Sequence, residues 1–417
     1  MQFEVYPPTH LHSKEGDRKE ENLMKRKFLI QLSLVVVLLM AASVALAELP
    51  VYPVKGKVVC RLSVFDNPEG AIVSMCGNYL FVSNSCTAKV KEGFYWVEGR
   101  GSISKLEIGP YGDLKMIDRQ FVAGLTGPLG MAILNVDTGK FAAGTLFAMT
   151  GSAPMSTING TPITDPKRHK PKIIAINPAN GAILGEINMG ANSVFAKISG
   201  GPADLLNALA FDLKGNLYMA DSGIGYNSYK PAFKYAGGVW KIPIESIDAL
   251  ADGKTPPKMP QFIPCPSWPD GIEVDPITQE VWFNSVMPPG AGDDPYKGAY
   301  WAVTDADFES GILPAPLQKG LGRLDGVAFT VKGTNLQTEI LNTPNAIVVV
   351  RPSEPDKPYR LVTDPEIVLA GPADLNLKTL GDGSYLLFVP ELMAVNPTQW
   401  DEVLTVIWLP ADFDNPQ

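Results

Sequence analysis

The stretch Trp268–Ser285, WPDGIEVDPITQEVWFNS, packs two short apolar strands around a D-P turn and opens on a P-x-G turn. Its pattern returns at Leu205–Ser222, LLNALAFDLKGNLYMADS. There Asn207, Phe211, Asp212, Leu217, Tyr218 and Ser222 take the places of Asp270, Val274, Asp275, Val281, Trp282 and Ser285. Copies with small gaps follow at Pro68–Ser85, Pro128–Thr150, Leu324–Thr343 and Pro372–Leu392, which makes six units. A unit that reads strand, turn, strand cannot bury its apolar face alone, and a ring of such units can. The sequence therefore predicts an all-β chain folded as a six-bladed β-propeller.

The two ends of the pattern predict how the ring closes. Lys57–Phe65 (KVVCRLSVF) reads as a strand with no neighbour, and the last unit, ending in Glu402–Leu409 (EVLTVIWL), is one strand short. Joining them removes two exposed edges at once. Further strands are expected at Ser102–Ile108 and Leu114–Val122, Lys172–Ile176 and Ala182–Met189, Val239–Ile244, and Ala346–Val350. The 39 glycines and 37 prolines suit a chain with so many turns.

Ahead of the propeller, Lys25–Arg26–Lys27, an apolar run from Phe28 and the small residues Ala45–Leu46–Ala47 form a signal-peptide pattern over residues 24–47. Residues 1–23 are polar and aperiodic, and Lys19–Glu20–Glu21 can be encoded by a purine run like a ribosome-binding site. We read them as a gene-model extension, with Met24 the start. Residues 48–417 then form one domain, exported to the periplasm or the medium, without stable membrane insertion and expected as a monomer.

From Glu48 onward the chain holds 29 basic and 39 acidic residues, which excludes nucleic acid as a partner. The one dense basic cluster, Lys167, Arg168, His169, Lys170 and Lys172, reads as a solvated loop. Cys60, Cys76, Cys86 and Cys265 allow zero, one or two disulfides, and Cys76 and Cys86, at opposite ends of one strand, are too far apart to pair.

In a propeller, the middle residue of each P-x-G turn faces the central opening. In chain order that position reads Glu69, Leu129, Asn207, Asp270, Asp325, and either Asp374 or Asn376. Turn chemistry explains Asp and Asn beside Gly but not Glu69. Carboxylates converging on one axis repel each other unless a cation neutralises them or they take up protons. Mixed Asp, Glu and Asn oxygens suit a divalent cation, calcium foremost.

Glu69-Gly70 in the first unit, Asn207 within N-x-L-A-F-D and Asp270 within P-D-G resemble the regucalcin/gluconolactonase family of six-bladed, calcium-dependent lactonases. They resemble the paraoxonases and NHL-type propellers more distantly. The resemblance implies Glu69, Asn207 and Asp270 as metal ligands. Leu129 departs from it, standing where the family has a ligand Asn, and Asp325 adds a carboxylate the family lacks.

Only His169 lies beyond the leader, and there is no G-x-S-x-G, so neither a His-rich metal site nor a Ser-His-Asp triad can be built. An enzyme of this sequence needs a carboxylate base, and Asp270 and Asp325 are the candidates, acting on a lactone or ester. The loops of the same face carry Tyr95 and Trp96, Tyr226 and Tyr229, and Tyr300 and Trp301. They either bind a small ring-shaped substrate or pack together as a cap. Asp221, Asn84 and Asn284 either line the pocket or cap their own loops. The competing function is a non-catalytic propeller that binds a ligand or protein through those aromatics.

Overall fold

A computed structural model describes residues 49–90, 93–152, 155–158, 161–164, 169–223, 237–265, 267–286, 298–340, 346–392 and 402–415. The leader and the 23 residues before it lie outside these. Six antiparallel sheets follow one another around a central axis as blades 1 to 6. Their innermost strands are Pro68–Val73, Met131–Ile133, Leu206–Phe211, Pro269–Val274, Leu324–Phe329 and Asn376–Thr379. Each pairs with a second strand, the six being Tyr79–Asn84, Leu146–Thr150, Leu217–Asp221, Val281–Ser285, Asn335–Glu339 and Tyr385–Pro390.

The ring closes as the chain ends predict. Gly56–Ser63 pairs antiparallel with Val403–Leu409, from Lys57 opposite Trp408 to Ser63 opposite Val403, and so completes blade 6. Arg61 carries this closure into side chains. Its guanidinium donates to Glu391 at 3.1 Å and to Thr405 Oγ1 at 3.1 Å, tying the first strand to the last two. Tyr52 adds a bond from its hydroxyl to the Phe413 carbonyl at 2.6 Å.

The core divides into six apolar layers, one between each pair of adjacent blades, because neighbouring residues on a strand point to opposite faces. In blade 6, Leu386 and Phe388 pack with Ala71, Leu80 and Leu106 of blade 1. The intervening Leu387 and Val389 pack with Ala328, Leu336 and Val349 of blade 5. The same alternation in blade 3 sends Leu217 and Met219 toward blade 2, and Tyr218 and Ala220 toward blade 4.

Three expectations are corrected. The strand expected over Val239–Ile244 ends at Ile242, because Pro243 has no N–H for the ladder and a helix begins at Ile244. Tyr300 and Trp301 are not loop aromatics. They lie in the strand Tyr300–Val303, fully buried, with Trp301 stacked on Phe283 at 4.9 Å and the Tyr300 hydroxyl bonded to the Pro355 carbonyl. His169 is buried rather than solvated, its Nε2 at 2.6 Å from the Ala203 carbonyl, and burial lowers its pKa. The cysteines form no disulfide among the described residues.

Candidate functional site

The P-x-G motif is a bulge inside the innermost strand, not a turn before it. In blade 4, Pro269 is opposite Ser285 and Ile272 is opposite Phe283, so three steps on one strand meet two on the other. Blades 1, 3 and 5 carry the same extra residue at Glu69-Gly70, Asn207-Ala208 and Asp325-Gly326. A bulge leaves an N–H without a ladder partner and re-aims a side chain. The orphaned glycine N–H is taken by the second strand: Gly70 donates to Ser83 Oγ at 2.7 Å, Gly271 to Asn284 Oδ1 at 3.0 Å, and Gly326 to Thr338 Oγ1 at 2.7 Å.

These bulges touch each other around the axis, which is why glycine follows the axial residue in four of the six units. A Cβ on Gly130 would lie 2.3 Å from the Asn207 carbonyl oxygen, one on Gly271 2.2 Å from that of Asp325, and one on Gly326 2.6 Å from the Asp374 Cα. Gly130 N–H donates to the Asn207 carbonyl at 2.7 Å, and Asp374 N–H donates to the Glu69 carbonyl at 3.1 Å, closing the circle from blade 6 to blade 1. Glu69, Leu129, Asn207, Asp270, Asp325 and Asp374 thus occupy successive places around one opening. The sixth place is Asp374; Asn376 instead accepts a bond from the Val73 N–H of blade 1.

Four of the six side chains are carboxylates. Glu69 and Asp270 are each 4% exposed and Asp325 6%. Burial pushes all three well above the usual carboxylate range, and repulsion among them and from Asp374 pushes them further. Asp374 is held at about 7 by burial, against the stabilising N–H of Leu375. Glu273, three residues beyond Asp270 on the same strand, is raised to about 8 by burial and by Asp374. No lysine or arginine offsets any of them among the described residues. Glu69 Oε2 and Asp270 Oδ1 are buried without a hydrogen-bond partner, which is costly for an ionised oxygen. As they stand, no three Asp, Glu, His or Cys side chains among the described residues form a metal-holding group. The expected trio includes the amide of Asn207, which is bonded to Ser222 Oγ at 3.4 Å.

The other side of the opening is apolar. Leu129 is buried against Leu205 and Trp96, and a Cβ on Gly127 would press on the Trp96 ring at 2.9 Å. Trp96, expected among the substrate-binding aromatics, packs against Leu129 as part of a buried apolar wall.

The remaining expected residues among those described are held by their own hydrogen bonds. Asp221 accepts from the N–H groups of Asp204, Leu205 and Gly223, so it anchors its own loop, and burial raises it to about 6. Asn284 is fully buried and donates to the Gly326 carbonyl and to Gln337 Oε1 at 3.2 Å each, bracing blade 4 against blade 5. Asn84 does similar work, accepting from Asp66 N–H and donating to Ser104 Oγ at 3.0 Å. Tyr226, Tyr229 and the Tyr95 side chain lie outside the described residues. Sequence reasoning missed Glu273. Its signal was a carboxylate at an interior position of an otherwise apolar strand.

A ring of six sheets of three to five strands with its polar residues at the axis defines the class: a six-bladed β-propeller with an acidic axial site. No known sequence family matches the chain, and no curated protein matches it. Its fold is similar to that of the PQQ-bound aldose sugar dehydrogenase from Streptomyces coelicolor, at 12% identity and a TM-score of 0.52, over 86% of this chain and 99% of that one. It is also similar to a gluconolactonase from Xanthomonas campestris, at 14% identity and a TM-score of 0.45, over 87% of this chain and 98% of that one. At these identities the likeness concerns the fold.

Proposed function

We propose that the chain is an exported, divalent-cation-dependent hydrolase of a lactone or related ester. The observation that carries this reading is the pair of partnerless buried oxygens, Glu69 Oε2 and Asp270 Oδ1, in a cluster that no described cationic side chain neutralises. Burying several like-charged carboxylates together is unfavourable unless a cation joins them. The all-oxygen set of Glu69, Asn207 and Asp270, completed by water, matches what calcium takes. Such an ion, when bound, supplies Lewis-acid polarisation of a carbonyl.

The chain's own residues supply the rest. Asp325, which burial and the neighbouring Asp374 push well above the usual carboxylate range, is the carboxylate that would accept a proton from water, and Asp270 is the alternative acceptor. Trp96, Leu129 and Leu205 pack together as a buried apolar wall that excludes water from one side of the opening. The Lys25–Lys27 and Ala45–Ala47 pattern supports export of the mature chain.

Leu129 favours a second reading, a ligand-binding propeller without catalysis, because it puts an apolar side chain into the axial ring. Proton release from a panel of sugar and acyl lactones separates the two. The hydrolase reading expects turnover with calcium that stops on chelation, and that calcium fails to restore in Asp270→Ala. Absence of turnover on every lactone, with binding retained, supports the second reading.

A further inference from the structure

The face opposite the axial acids carries an apolar belt that the fold does not require. It is built from the turns that join the first and second strands of each blade. In blade 4 that turn begins at Asp275, roughly 16 Å of strand beyond Asp270. In blades 1, 3, 4 and 5 the turns present Met75, Leu213, Ile277 and Val331, between 54% (Val331) and 68% (Leu213) exposed. Turn chemistry favours polar residues there. Each blade's turn leans on the next. Ile277 lies 3.3 Å and Met75 3.9 Å from where a Cβ on Gly333 or Gly144 of the following blade would stand, and Val136 covers Gly215 in the same way. The Leu213 N–H donates to Gln279 of blade 4 at 3.3 Å. These side chains therefore form a continuous belt rather than scattered points.

Charge follows the belt with a period of two blades. Lys378 reaches from blade 6 to the turn of blade 1, its Cε 3.7 Å from the place of a Cβ on Gly77. Asp137, Lys214, Glu280, Lys332 and Asp382 then stand in the turns of blades 2 to 6, all exposed except the half-buried Glu280. The signs alternate all the way round. The other charges of these turns are engaged: Asp212 and Asp275 are buried and bonded within their own turns, and Lys140 pairs with Asp252.

Three lysines balanced by three acids do not suit an anionic membrane or nucleic acid, which need a basic face. Alternation makes the face complementary to itself. Two copies laid face to face about a two-fold axis run round the belt in opposite senses. When the axis passes between blades, each odd-numbered blade of one copy meets an even-numbered blade of the other, so every lysine meets an acid. The apolar belt alone, about a few hundred Å², is smaller than the roughly 800 Å² per partner of a stable interface, and the charged ring supplies the remainder. Both axial openings then face outward.

We propose that this face joins two copies of the chain into a two-fold symmetric dimer, in place of the monomer expected from the sequence.

Sedimentation of the purified mature protein at about 1–100 μM tests it. A species of twice the chain mass is expected, with a Kd that rises about tenfold or more between about 0.05 M and 0.5 M salt. Leu213→Ser combined with Ile277→Ser should weaken association about tenfold or more. The charge test is sharper. Lys214→Glu with Lys332→Glu, and Asp137→Lys with Asp382→Lys, should each self-associate about tenfold or more weakly than wild type. An equimolar mixture of these two variants should pair more tightly than either alone, which an unfolded variant could not do. Monomers throughout the range, a dimer unmoved by these substitutions, or a mixture that regains no association overturns the proposal. Capture of monomeric wild type by anionic phospholipid vesicles, lost in the Leu213→Ser, Ile277→Ser variant, would overturn it in favour of a membrane-facing surface.

Discussion

Two sets of buried carboxylates in this molecule are treated in opposite ways. Glu391, fully buried, is surrounded by donors: Arg61, the Thr405 hydroxyl and the Ala370 N–H at 2.6 Å. Glu69 and Asp270 are almost as buried, yet each leaves an oxygen without a partner and faces other acids. Burial alone therefore does not mark a functional acid here; the lack of partners does. The contrast is physical. A closed hydrogen-bond network fixes the seam between the chain ends, while an open one stores unfavourable energy that a bound cation or added protons would relieve.

The largest expected effect is at the closed network. Glu391→Ala leaves the Arg61 guanidinium without its acid and strips the seam of three bonds. It should lower stability by about 3–5 kcal/mol, read from denaturant unfolding. A loss below about 1 kcal/mol would mean that Glu391 is no better served than the axial acids, and the comparison would fail. Next is Gly271→Ala, whose new Cβ would lie 2.2 Å from the Asp325 carbonyl and force adjacent bulges apart. We expect a loss of about 1–3 kcal/mol, as for overpacking elsewhere. An unchanged midpoint would show that the axial ring is not close-packed.

Asp270→Asn tests the open network and should act with the opposite sign. Without calcium it removes a repelling charge, so the variant is expected to be more stable than wild type by about 1–2 kcal/mol at pH 8. With calcium the order should reverse, since only wild type keeps the ligand charge. Thermal midpoints of both proteins in both conditions check this. A variant less stable than wild type in chelator would mean that Asp270 is satisfied in a way its geometry does not show.

Much of the axial ring was legible in the sequence. The repeat placed five axial residues, because each is followed by glycine or, at Ala208, alanine at the same place in its unit, and the unmatched strands at each end predicted the closure. The P-x-G signature was misread as a turn because bulge and turn share a demand for glycine. What distinguishes them is the neighbouring blade's carbonyl, which is not a local feature. The sixth unit has no glycine after its axial residue, so Asp374 and Asn376 could not be told apart until the contact with Gly326 was seen. Trp96, at the end of the hairpin strand Gly93–Trp96 rather than in a loop, packs on Leu129 and so joins blade 1 to the ring position of blade 2, a pairing no spacing rule encodes. Tyr300 and Trp301 were assigned to a loop from the Gly- and Pro-rich segment before them, although the apolar run Tyr300–Val303 is itself a strand.

The smallest effect, and the one that sharpens the comparison most, is the pH dependence of stability without metal. Asp374 is raised to about 7 and Glu273 to about 8, both above their unfolded values near 4. A group whose folded pKa is raised binds its proton more tightly in the native state, so its contribution is complete below about pH 4 and is lost as pH climbs through the folded value. In chelator, stability should therefore fall between about pH 4 and pH 8. Both groups keep some solvent access, so screening makes the slope modest. Calcium should flatten it, because a bound cation takes over the role of the protons. Urea midpoints across this range, with and without calcium, give the result. A slope that is flat in chelator, or equally steep in both conditions, would mean that the axial acids are neutralised by something other than protons or the cation, and the distinction between the open and closed networks would lose its electrostatic basis.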